Sequence, residues 1–188
     1  MAAKQRYAPS RTNKGSIAVK MNVWSLLAVV LFSTTSFATD LGYDPAVDPF
    51  EQYQSAVAQA AAQNKLVLVV AGGDWCRWCH VLNRFVSSND EVERRLNQTF
   101  VVMKVYVGPG NYNELFFSQL PRAYGAPHFW IVSPEREVLA SQSTAKLERG
   151  TSTYDKTRFL AFIDEWNRTL ATPQRQALAP GDAPATQF

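Results

Sequence analysis

The sequence predicts an α/β domain in which a mixed sheet of four to five strands lies between two layers of helices, as a three-layer α/β/α sandwich. The run KLVLVVAGG at 65–73 is apolar and β-branched throughout, which is typical of a strand buried on both faces. A second such run, FVVMKVYV at 100–107, follows two amphipathic segments, which predicts a parallel pair connected by helices. The segments HFWIVSP and EVLASQ flank a short turn at 133–136 and predict an antiparallel hairpin.

The helices are predicted from their starts and apolar stripes. Asp48 and Pro49 open a helix that continues to Gln63, with Asp48 as the N-cap. Two more helices are predicted after the first strand, and a short one at 113–120. A C-terminal helix is predicted at 152–170, where Ser152 and Asp155 have the spacing of a capping box.

The first 38 residues are predicted to be a cleaved signal peptide. Basic residues come first, then an apolar run at 23–32, then small residues at Ser36 and Ala38. A membrane-spanning helix needs roughly 20 apolar residues, so an uncleaved tether is the weaker alternative. We expect residues 39–47 to be an N-terminal segment, 48–170 the folded domain and 171–188 a disordered Ala/Pro-rich tail. The predicted location is outside the cytoplasm, in the bacterial periplasm.

The charge of the chain gives no reason to expect nucleic acid as a partner. The whole sequence has a formal net charge of +3. Five of its 19 Lys and Arg residues, and none of its 16 Asp and Glu residues, lie in the predicted leader. The remaining chain is therefore slightly acidic, and no basic patch is implied.

Both cysteines of the chain lie in GGDWCRWCH, at Cys76 and Cys79. A disulfide across so short a loop adds little stability, so the pair indicates a chemical role in an oxidising compartment. The first interpretation is a redox dithiol. The second is a c-type haem attachment site, with His80 as axial ligand and Met103 or His128 as the sixth ligand. The third is a zinc site that uses the two cysteines and the two histidines.

The motif DWCRWC after a buried strand, with Lys104 in the next strand and Pro127 before the hairpin, resembles the thioredoxin superfamily. Within it, the chain is similar to soluble domains of bacterial thiol:disulfide interchange proteins. The resemblance covers residues 50–170. It implies a thioredoxin-like fold and a protein disulfide oxidoreductase that needs no bound cofactor and no metal. Its substrates would be proteins with disulfides or thiols, and its partner a dithiol redox protein, membrane-bound in many such families.

The same resemblance assigns Cys76 as the attacking thiol and Cys79 as the more buried resolving thiol. A helix N-terminus and Arg77 both favour the thiolate of Cys76. Either direction of electron flow, reductase or oxidase, is open at this point.

A cis-proline at Pro127 would shape the substrate groove, with Ala126 offering its backbone to the substrate as an added strand. Trp75, Arg77 and Trp78 would contact the substrate, with Trp78 exposed.

Three residues are expected to tune the dithiol: His80, Lys104 and His128. Val70 occupies the position at which many relatives carry a buried acid, so we expect Lys104 to extend towards the surface. A further alternative is a redox-switched, chaperone-like binding module in which Trp75, Trp78 and Trp130 form an exposed docking patch.

Overall fold

A mixed four-stranded sheet forms the centre of the domain. The computed structural model describes residues 41–177, and side chains as far as residue 171; these residues lie within one compact unit, Ala38–Phe188. The strands are β1 (Leu66–Gly72), β2 (Phe100–Tyr106), β3 (His128–Val132) and β4 (Val138–Ser143). Their order is β2-β1-β3-β4, with β1 parallel to β2 and antiparallel to β3, and β3 antiparallel to β4. The predicted mixed sheet is confirmed.

Five helices surround the sheet in the described part of the chain. They are α1 (Pro49–Gln63), α2 (Arg77–Ser87), α3 (Asp90–Thr99), α4 (Glu114–Phe117) and α5 (Lys156–Ala177). Asp48 is the N-cap of α1, as predicted, and its side chain accepts a hydrogen bond from the Phe50 amide. A 3₁₀-helix (Thr144–Leu147) and a small hairpin, β5 (Glu148–Arg149) and β6 (Thr153–Tyr154), connect β4 to α5.

Two apolar clusters pack against opposite faces of the sheet, because successive residues of a strand point to opposite sides. On one face, α2, α3 and α5 cover Leu66, Leu68 and Val70 of β1. On the other face, α1 and α4 cover Val67 and Val69 together with Trp130 of β3. All seven residues of β1 are buried, as its continuous apolar sequence predicted.

The C-terminal helix begins later than the sequence indicated. Ser152 was expected to cap it, but residues 153–154 form β6, and Asp155 accepts a hydrogen bond from the Arg158 amide at 3.0 Å instead. Asp is a strong N-cap residue, and pairing with β5 holds the preceding residues in an extended conformation. The helix continues to Ala177, past the expected end at Leu170.

The predicted leader at 1–38 lies outside the described residues, as does the part of the predicted tail after residue 177. Among the helices between residues 41 and 177, none combines the length and the apolarity that crossing a bilayer requires.

Candidate active site at the start of helix α2

The two cysteines form a disulfide at the start of α2. The Cα atoms of Cys76 and Cys79 are 5.2 Å apart. Both residues are buried, with exposed fractions of 3% and 2%. Cys79, expected to be the more buried of the two, is so by a small margin only in this oxidised form, in which both belong to the apolar cluster beneath α2.

Cys76 is the N-cap residue of α2. Its sulfur accepts a hydrogen bond from the backbone amide of Cys79 at 3.1 Å. Amides in the first turn of a helix have no intrahelical acceptor, and the positive end of the helix dipole lies there. A thiolate at Cys76 would meet the same donor, so this local structure favours an ionised, nucleophilic sulfur at that position.

The strand register places Pro127 next to the dithiol loop. Ala71, near the end of β1, pairs with His128 at the start of β3. The residue before His128 therefore lies beside the connection that carries Cys76. The peptide bond between Ala126 and Pro127 is cis, as the resemblance implied. The Pro127 carbonyl accepts a buried hydrogen bond from Thr144 at 2.9 Å.

An apolar groove of about 540 Å³ opens beside this loop. Its lining includes Ala71, Trp75, Tyr112, Phe117, Ala126 and Trp130. The Trp75 ring is 55% exposed, yet its Nε1–H donates to the Val107 carbonyl at 2.7 Å. An indole held by a hydrogen bond, next to Cys76 in the sequence, therefore lines the same groove as Ala126.

The other two tryptophans do not form the expected docking patch. Trp130 is 1% exposed and donates its Nε1–H to the Pro121 carbonyl, so it belongs to the core under α1. Trp78 was expected to be exposed, but it is half-buried, with its ring 5.5 Å from that of Tyr154 in an edge-to-face contact. Arg77, by contrast, is exposed at the first position of α2.

Behind the dithiol lies a second space, which we call the rear cavity, of about 220 Å³. It is lined by Cys79, Val70, Tyr43, Asn83 and Lys104, among others, and it extends to exposed residues of α2 and α3.

Lys104 points into the domain rather than to the surface as expected. Its ammonium donates to the Leu41 carbonyl and to the Asn83 side chain, and it lies 5.6 Å from the centre of the Tyr43 ring. The N-terminal segment, through Leu41 and Tyr43, and α2, through Asn83, supply these partners in place of an acid in β1.

The two histidines lie on different sides of the structure. The His80 Nε2 atom is 2.7 Å from the Asp74 carbonyl, so this ring braces the loop that precedes Cys76. The His128 ring packs on Trp130, on the sheet face away from α2. Its Nε2 atom forms a hydrogen bond with the Ser141 hydroxyl. Burial lowers the pKa of His128. The expected position of His128 beside the dithiol is therefore not observed.

The donor positions do not fit haem or zinc. Met103 packs in the cluster under α1, on the sheet face opposite α2, and the His128 ring lies on that face as well. Neither can reach the sulfurs and His80 together. Within residues 41–171, no group of three or more His, Cys, Asp and Glu side chains is arranged to bind a metal.

Sequence reasoning missed the aromatic residues that enclose the dithiol. Tyr43 was placed in an irregular segment and Tyr154 inside a helix, but both are buried beside α2. Burial raises the pKa of both phenols well above the ordinary value. No periodic pattern surrounds Tyr43, and its only signal was an apolar pair, Leu41 and Tyr43, on alternate positions before Asp44.

Comparison with known proteins agrees with this geometry. Residues 48–134 match a family described as "Thioredoxin-like". Over 63 residues the chain is 35% identical to spermatogenesis-associated protein 20 of Homo sapiens. This match covers 34% of the present chain and 8% of that protein. The chain thus spans only a small part of such relatives. A solved structure, a disulphide isomerase from Xylella fastidiosa Temecula1, matches with a TM-score of 0.55 at 22% identity, over 70% of this chain and 98% of that one.

The fold is therefore thioredoxin-like. With the paired cysteines at the start of α2, it supports thiol–disulfide redox chemistry. The described domain therefore has a thioredoxin-like fold, and residues 48–134 are similar to the family of that description.

Proposed function

We propose that the protein is an exported thiol–disulfide oxidoreductase that exchanges disulfides with protein substrates through Cys76 and Cys79. The observation that carries this proposal is the position of Cys76. Its sulfur is the N-cap acceptor of α2, and its sequence neighbour Trp75 lines an open apolar groove together with Ala126, the residue before the cis-proline. A sulfur in such a position is both activated and accessible from one side once the disulfide is reduced.

In the reductive direction, the thiolate of Cys76 attacks one sulfur of a substrate disulfide. The substrate S–S bond breaks, one substrate sulfur leaves as a thiolate, and a mixed disulfide forms with Cys76. Cys79 then loses its proton and attacks the Cys76 sulfur. The second substrate thiolate leaves, and the Cys76–Cys79 disulfide holds the two-electron oxidation. Each departing substrate thiolate takes up one proton.

Several site residues would hold the substrate during this exchange. Ala126 would pair its backbone with an extended substrate, and the cis-proline Pro127 would shape the groove beside it. Trp75 would cover the groove side of the mixed disulfide. Arg77 is exposed on α2 and would contact the substrate from the other side. The groove is open and apolar, which suits a polypeptide segment better than a small polar thiol.

The cycle requires a second protein dithiol that restores the starting state of Cys76 and Cys79, and such a partner could be membrane-bound. We place the protein in the periplasm because of its predicted leader. We place it on the reductase or isomerase side of the reaction because of the resemblance described above. The reduction potential decides this direction, since dithiols of this fold range from about −270 mV to about −120 mV.

The proposal is tested with purified wild-type protein and two serine variants. Wild type should reduce insulin with dithiothreitol as electron donor, and Cys76→Ser should lose this activity. Reduced Cys79→Ser, freed of dithiothreitol and then mixed with insulin, should instead accumulate a mixed disulfide, because the resolving thiol is missing. Dithiothreitol added afterwards should release it. A glutathione series then gives the potential. If the Cys76–Cys79 disulfide neither opens nor closes across that series, the protein is not an oxidoreductase.

A further inference from the structure

Tyr43 and Cys79 meet at a point where the chain has no side chain. A Cβ atom added to Gly72 would lie 2.6 Å from the Cys79 sulfur and 2.8 Å from the Tyr43 hydroxyl oxygen. The sulfur and the hydroxyl therefore both border the same small space at the end of β1. A direct O–H···S contact, or one bridging water, can span that separation. Any residue larger than glycine at position 72 would separate the two groups.

The phenol of Tyr43 remains protonated in this environment. The residue is 6% exposed, and its pKa is raised, mainly by burial and further by Tyr154 and Asp74. A neutral hydroxyl is a hydrogen-bond donor without a charge of its own. It also lines the rear cavity with Cys79.

The rest of the rear cavity offers few alternatives to this donor. Leu68 and Val70, the β1 residues that line the cavity, have no polar side-chain group. The Lys104 ammonium donates to Leu41 and Asn83. Among the described side chains near Gly72, Tyr43 therefore places its hydroxyl in the same space as the Cys79 sulfur.

We propose that the Tyr43 hydroxyl donates a hydrogen bond, directly or through one water, to the Cys79 sulfur and stabilises that sulfur as a thiolate. When an incoming thiolate attacks Cys76, a new S–S bond forms to Cys76 and the Cys76–Cys79 bond breaks. The electron pair of the broken bond stays on Cys79, which becomes a thiolate. Tyr43 keeps its own proton throughout. A better-stabilised leaving sulfur departs faster, so Tyr43 would speed the opening of the disulfide.

This inference rests on the proposed function, and its test uses Cys79 as a single thiol. Two proteins are compared, the single variant Cys76→Ser and the double variant Cys76→Ser with Tyr43→Phe. In each, the ultraviolet absorbance of the Cys79 thiolate is followed as the pH is changed. Phenylalanine keeps the ring and its contact with Lys104 and removes only the donor. A hydrogen bond to a charged group should keep the thiolate fraction at neutral pH about tenfold higher with tyrosine than with phenylalanine. Lys104, Asp74, Tyr154 and Glu93, the other titratable groups around Tyr43 and the rear cavity, are the same in both proteins.

A second measurement follows the wild-type cysteines. Opening of the disulfide by dithiothreitol should be several-fold slower in Tyr43→Phe. The control is Tyr53→Phe, a phenol on α1 that packs on Phe116 beneath the other face of the sheet, and it should match wild type. Circular dichroism checks that each variant is folded.

The outcomes separate the two proposals. If Tyr43→Phe leaves both the Cys79 titration and the opening rate unchanged while the disulfide still cycles, Tyr43 is only a packing residue and this inference is wrong. If the disulfide does not cycle in any variant, the proposed function fails first.

Discussion

Gly108 should be the residue that allows the Trp75 indole to pack against the backbone after β2. A Cβ at position 108 would overlap the indole at Nε1 and Cδ1. The backbone around Gly108 cannot retreat easily, because it exchanges two hydrogen bonds of 3.1 Å with Asn111. In Gly108→Ala the indole must therefore rotate out into solvent, and its hydrogen bond to Val107 is lost.

The cost follows from what the indole leaves behind. A hydrogen bond of this kind contributes about 1 kcal/mol net, and since Trp75 is already 55% exposed, little other burial is lost. The melting temperature should fall by about 4 °C. If Trp75 covers the substrate, insulin reduction should fall more than reduction of a small soluble disulfide.

A double-mutant cycle makes this reasoning refutable. In a Trp75→Ala background there is no indole to displace, so adding Gly108→Ala should cost almost nothing, and the coupling energy between the two changes should be about 1 kcal/mol. Melting curves and tryptophan fluorescence measure both quantities. Equal costs of Gly108→Ala in the two backgrounds would show that the overlap with Trp75 is not the cause.

Two further predictions concern the rest of the domain. Burial lowers the pKa of His128. Below about pH 6.5, the imidazole therefore binds a proton in the unfolded chain more readily than in the folded domain. The free energy of unfolding should decrease as the pH falls further below that value. Urea titrations should show this slope in wild type and in His80→Asn but not in His128→Asn; a slope that survives His128→Asn refutes the assignment. Phe159 is fully buried among four aromatic rings. Phe159→Ala should therefore lower the free energy of unfolding in guanidinium by about 3–5 kcal/mol. Leu160→Ala, at the partly buried neighbouring position, should lower it by clearly less. Equal losses would mean that this cluster is not the main core.

The elements that the sequence predicted well are those whose local pattern agrees with their final surroundings. The uniformly apolar run at 65–73 has one stable position, at the centre of a sheet covered on both faces, and β1 lies there. Asp48 and Pro49 satisfy the start of a helix by themselves, so α1 begins where expected. The cysteine motif was recognisable because its short spacing, its strand before and its helix after are all local features.

The errors arise where tertiary contacts decide. The sequence could not assign Trp130 to the core, because a tryptophan in a strand can face either way until the register with β1 is known. Lys104 was expected to reach the surface because no acid was found in β1. Its acceptors come instead from Leu41, 63 positions earlier in the chain, and from Asn83 of α2. Contacts of that kind leave no periodic signal.

The end of β1 explains how one disulfide can serve two separate requirements. Val70 and Ala71 are neighbours in the strand and so face opposite sides of the sheet. Val70 lines the rear cavity behind Cys79, where Tyr43 and Lys104 supply polar atoms, whereas Ala71 lines the apolar groove beside Trp75. In the proposed exchange, the cavity side adjusts the sulfur that leaves, and the groove side holds the polypeptide that arrives. Substitutions on the two sides should therefore be separable, with those in the cavity changing thiol ionisation and those in the groove changing the preference for protein over small disulfides.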